Sequence, residues 1–84
     1  MVTKVERDHQ AGQTYLAYDM GDRSRPVIHT LLRRMSVDED VSDGWGHHGG
    51  KTPYGWYWYV LDVLRGEVIV SIDNQYENSN WELL

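Results

Sequence analysis

The sequence predicts an α+β fold: a single small domain over residues 1–84 in the order β-β-α-β-β, with room for one more short strand at the end. One helix is expected to pack on a mainly antiparallel sheet. Three observations lead there. A chain of 84 residues holds one modest core and no more. Val27, Ile28, Leu31, Leu32 and Met35 recur at the spacing of an apolar helical stripe. Two stretches dense in β-formers, 54–64 and 67–73, flank Arg65-Gly66, which reads as a tight hairpin turn.

The elements follow in order. Residues 2–7 (VTKVER) predict a strand, and 14–20 (TYLAYDM) a better one, joined by a polar turn at 8–13 that contains Gly12. In the second strand Thr14, Leu16, Tyr18 and Met20 share one face, and Tyr15, Ala17 and Asp19 the other. Residues 21–25 break the pattern. Asp22 or Ser24 can cap the expected helix, Pro26 suits its first turn, and Arg33 and Arg34 complement the dipole at its end. So short a helix is marginal alone and must dock its stripe on the sheet. Ser36 and Glu39 have the spacing of a capping box, so 37–42 fits either a short helical turn or an acidic loop. A glycine-rich loop runs from 44 to 53.

With a two-residue turn at Arg65-Gly66, Val63 faces Val68, Leu61 faces Val70 and Tyr59 faces Ile72. All six are apolar or aromatic, so this face is the expected core, covered by the helix. Trp56, Trp58, Val60, Asp62, Ile69, Ser71 and Asp73 then lie on a partly wet second face. Residues 74–80 read as turn, and 81–84 (WELL) as a short closing strand or a docked tail.

Charge is unevenly spread. Residues 1–35 carry six basic and four acidic groups, whereas 36–84 carry two basic and nine acidic ones, for a total of −5. The acidic half disfavours phosphate backbones, so direct nucleic-acid binding is not expected, and a partner with a basic surface suits it better. There is no cysteine, which excludes disulfides and thiolate chemistry. The first ten residues carry charges throughout and no apolar run reaches a membrane span, so neither a secretory signal nor a membrane is expected and a cytoplasmic location is.

No motif carries a reaction. Gly49-Gly50-Lys51-Thr52 resembles the end of a phosphate loop, but the leading glycine of that motif would fall on Trp45. None of the serines sits in a nucleophile elbow. His47 and His48 are adjacent and point apart on an extended chain, and the acids at 38–43 lack a calcium-loop pattern. Neither an enzyme nor a bound metal or cofactor is expected.

The remaining feature is aromatic: four Trp and six Tyr with no Phe. Such rings dominate protein interfaces. The expected partner-binding residues are Trp45, Tyr54, Trp56 and Trp58, with the acids Asp38, Glu39, Asp40, Asp43, Asp62 and Asp73 around them. In size and composition the chain is similar to the small inhibitors that phages and other mobile elements direct at host defence or nucleic-acid-processing proteins, anti-CRISPR proteins among them. That resemblance implies a non-catalytic protein-binding module that blocks its partner, another protein with a basic nucleic-acid-binding surface. The alternatives are a metal- or small-ligand-binding protein using the His47/His48 loop, and a homodimer or larger structural assembly built through the Trp56/Trp58 face.

Overall fold

The computed structural model describes residues 9–41 and 49–84. The expected strand at 2–7, and the expected site residues Asp43 and Trp45 with the His47/His48 pair, lie outside the described residues. What is described is not α+β. It is a curled antiparallel sheet, a half-barrel, whose only helical pieces are two 3-10 turns. The strands are β1 (Thr14–Tyr18), β2 (Pro26–Arg34), β3 (Lys51–Thr52), β4 (Gly55–Asp62), β5 (Glu67–Ile72) and β6 (Glu82–Leu83). Across the sheet the order is β6-β1-β2-β4-β5, with β3 pairing the start of β4.

The expected helix at 26–35 is strand β2. Its apolar spacing fits either structure once a bulge is allowed. Val27, His29 and Leu31 point to one face, Ile28 and Thr30 to the other, and the register then slips by one between Leu31 and Arg33. The slip accommodates the Leu31-Leu32 pair that looked like a helical stripe. Val27, Ile28 and Thr30 are β-branched and lower helix propensity, and both neighbours β1 and β4 are present to pair with. Pro26 falls on the first strand residue, where its missing amide costs least. The Ser36–Glu39 pairing forms without a helix: Ser36 Oγ donates to Glu39 Oε1 at 2.8 Å within a turn.

The β4–β5 connection has four residues, not two. Asp62 pairs with Glu67, so Leu61 faces Val68, Tyr59 faces Val70 and Tyr57 faces Ile72. Asp62 sets this loop, accepting the Gly66 amide on its carbonyl at 2.8 Å and the Arg65 amide on its carboxylate at 3.4 Å. Gly66 takes the left-handed conformation, φ 68°, that closes the turn. Because the register moved by two residues, every side chain kept its expected face-mates.

The faces themselves are inverted. The core lies on the side of Tyr15, Leu31, Trp58 and Val60, with Tyr76 among them and Trp56, Ile69 and Trp81 packed against it. This is the concave side of the curl. The face expected to be the core, Tyr59, Leu61, Val63, Val68 and Val70, is the convex outer face, and among the described residues no helix covers it. After β5 the chain turns at Asp73–Tyr76 across the concave side, and β6 then pairs with β1. The crossing segment decides which face is buried, because it delivers Tyr76 and Trp81 to one side only.

Candidate functional site

The residues expected to bind a partner divide into three groups. Two pairs are internal. Trp58 is 3% exposed, and its indole Nε1–H donates to Asp73 Oδ2 at 3.1 Å. The other oxygen of Asp73 accepts the Trp56 amide at 3.1 Å. Gly55 lies so close to this carboxylate, at φ 120°, that a Cβ there would collide with Asp73 Oδ1. Asp73 is therefore a buried bridge between β4 and the 3-10 turn that follows β5. Asp62 is buried as well, beside His29. A dimer built on the Trp58 ring would have to open the core.

A second group is held at the surface by cations. The Arg34 guanidinium sits 4.9 Å from the Trp56 ring centre and 5.3 Å from that of Trp58, capping both rings at the rim. Glu39 takes a forked pair of bonds from Arg33, at 2.8 and 3.2 Å, while the same guanidinium lies 4.4 Å from the Tyr59 ring. Hydrogen bonds from Arg33, Tyr59 and Ser36, in that order, hold the Glu39 carboxyl at about 2, well below the usual range. The third group, Tyr54, Asp38 and Asp40, is exposed. Among the described residues the expected positions do not share one surface, because β4 alternates and sends Trp56 and Trp58 inward.

Two features were missed by sequence reasoning. The first is a chain of buried polar side chains across the concave side. His9 Nε2 lies 3.1 Å from Glu77 Oε1, and His9 Nδ1 lies 3.0 Å from the Tyr15 hydroxyl. Tyr15 stacks on Tyr76 with ring centres 4.7 Å apart, and the Tyr76 hydroxyl is 2.9 Å from His29 Nδ1. Trp81 packs against both His29 and Tyr76. The order Asp62, His29, Tyr76 has the form of an acid–base–hydroxyl triad, but the Tyr76 side chain is 0% exposed, so no substrate atom reaches its hydroxyl. The array satisfies buried polar groups. One signal for it was in the sequence: a lone Asp62 and a lone His29 in apolar strands.

Burial pushes the His29 imidazole below its ordinary value, against the opposing pull of Asp62, and burial likewise raises the Tyr76 hydroxyl. The native state thus resists a proton that the unfolded chain accepts. The stability this contributes is complete above the unfolded imidazole value and is lost as pH falls through the lower native one. Urea midpoints are expected to drop between about pH 7.5 and about pH 5, and His29→Gln to lose that part of the dependence. An unchanged pH profile in the variant would refute the assignment.

The second missed feature is an outer face that no described element covers. Ile28, Leu61, Val68 and Val70 lie on three neighbouring strands, with Tyr59 and the loop residue Val63 beside them. Val68 is 59% exposed, Val63 41% and Val70 36%. Among the described residues β5 pairs only with β4, leaving its other edge open. Also among the described residues, no group of three His, Cys, Asp or Glu side chains is placed to hold a metal ion, and no helix is long and apolar enough to cross a membrane. No protein-family model, curated protein or solved structure matches the chain.

Proposed function

We propose that this chain is a non-catalytic protein-binding module whose docking surface is the outer face of β2, β4 and β5. The observation that carries the reading is the cluster of Val63, Val68 and Val70, exposed among the described residues with the half-buried Leu61 beside them, next to an open strand edge. A soluble sheet normally covers such a face or makes it polar, and contiguous exposed apolar surface on a small domain marks an interaction site. The edge of β5 carries no proline, lysine or bulge to block strand addition. Its partner is another protein, and the net charge of −5 favours one with a basic surface, of the kind a nucleic-acid-processing protein presents. An inhibitor that occupies such a surface fits these features.

The test compares the native chain with a Val68→Glu, Val70→Glu variant whose melting temperature is unchanged. The protein retained by the native chain from its host is purified, and its affinity for both chains is measured. Two carboxylates placed in an apolar interface are expected to weaken binding by about tenfold or more. Equal affinity for both chains would overturn the proposal.

A further inference from the structure

At the end of the half-barrel, under the β4–β5 loop, a cleft of about 410 Å³ opens on the concave side, away from the outer face. Val27, Leu64 and Ile69 give it apolar walls, and His29 and Asp62 converge on it. The side chains of these two are 10% and 9% exposed. Each has one polar atom committed elsewhere: His29 Nδ1 meets the Tyr76 hydroxyl at 2.9 Å, and Asp62 Oδ1 takes the Arg65 amide at 3.4 Å. The other two atoms, His29 Nε2 and Asp62 Oδ2, face one another at 3.7 Å, too far for a hydrogen bond. Asp62 is therefore a buried carboxylate that, among the described residues, has only the His29 imidazole beside its Oδ2. The Arg65 guanidinium in the cleft wall turns to Glu67 at 3.3 Å, and Asp19 on the rim is taken by Arg25 at 3.0 Å. Such an anion is costly unless a cation with matching donors meets it.

We infer that the cleft binds a small organic ammonium ion, with its head on Asp62 Oδ2 and His29 Nε2 and its carbon chain along Val27, Leu64 and Ile69. A primary ammonium supplies the missing positive charge and several donors, and the three walls remove its chain from water. One hydrogen reaches Asp62. A second reaches His29 Nε2 when the imidazole proton sits on Nδ1, an arrangement the Tyr76 hydroxyl accommodates because it accepts as well as donates. A carboxylate ligand would be repelled, and a neutral alcohol would gain the walls without the charge.

The experiment is a titration of the full chain, followed by NMR at the His29 ring and the Val27 and Ile69 methyls, with n-butylammonium, n-butanol and butyrate as probes of one length. n-Butylammonium is expected to give saturable shifts at these groups, about tenfold weaker binding is expected for n-butanol, and butyrate is expected to give none. Asp62→Asn keeps the acceptor for the Arg65 amide, so it is expected to fold and to lose about tenfold in affinity for n-butylammonium. Equal binding of n-butanol and n-butylammonium by the native chain would overturn the inference, as would shifts confined to the outer face or no saturable shift at all. The comparison of probes on the native chain decides the matter even if the Asp62 variant does not fold. None of these outcomes bears on the outer-face proposal, which rests on different residues.

Discussion

Trp58→Ala is expected to destabilise the domain by about 3–5 kcal/mol, the cost of deleting a large buried ring, whereas Val68→Ser is expected to change stability by about 0.5 kcal/mol or less. The contrast follows from which face the curl encloses. Trp58 is 3% exposed at the centre of the core, and truncation also removes the donor to Asp73 Oδ2, leaving a buried carboxylate with one partner fewer. Val68 is the more hydrophobic-looking position in its hairpin, yet it is 59% exposed. For a domain of this size each kcal/mol moves the melting temperature by roughly 4–8 °C, so the two variants separate clearly in a thermal scan. Similar losses at both positions would mean that something covers the outer face, and the docking proposal would fall with it.

Tyr76→Ala is expected to cost a comparable amount, about 3–5 kcal/mol. Tyr76 is the fully buried side chain of the segment that crosses the concave side. It stacks on Tyr15, meets Trp81 at 73° and holds His29 Nδ1. Tyr76→Phe separates the two parts of its contribution. The ring remains, but His29 Nδ1 loses its partner, for an expected loss of about 1–3 kcal/mol. Urea unfolding of both variants measures the difference. If the Phe variant is as stable as the native chain, the hydrogen bond to His29 contributes nothing and the polar chain is passive filling. If the Ala variant is nearly native, the 73–81 segment does not close the core.

Much of the sheet was legible in the sequence. The alternation in 14–18 and 55–72 correctly grouped residues by face, and of the two readings of 81–84, a short strand or a docked tail, the structure has a strand, paired with β1. Grouping survives errors of register because the strand period is two: the four-residue loop moved the pairing of Leu61 from Val70 to Val68 without changing its face. The helix was misread for a definite reason. The positions of Val27, Ile28, Leu31, Leu32 and Met35 fit one stripe of a helix and equally a strand bulged at Leu32, and length alone did not separate them. The bulge also placed Arg33 over Tyr59 outside and Arg34 over Trp56 and Trp58 at the inner rim, a division no helical pattern contains.

The candidate sites were less legible. Counting apolar residues favoured the Tyr59–Val70 face as core, since the opposite face carries Asp62 and Asp73. Burial went the other way because Asp73 has both oxygens met, by the Trp56 amide and the Trp58 indole, while Asp62 has one met by the loop amide and turns the other toward the cleft beside His29. A carboxylate with such partners can be buried, and a face cannot be judged wet by its acids alone.

By itself, then, the sequence determined which side chains share a face, the acidic charge balance and the absence of thiol chemistry, because these depend on residues near one another in the chain or on composition alone. Only the tertiary structure decided which face is inside. That choice depends on where the residues after Asp73 cross the sheet, a contact between segments distant in sequence, and on the curl that makes one side concave. The same crossing buries Trp58 and Tyr76, turns His29 and Asp62 toward a cleft, and leaves Val68 and Val70 in solvent.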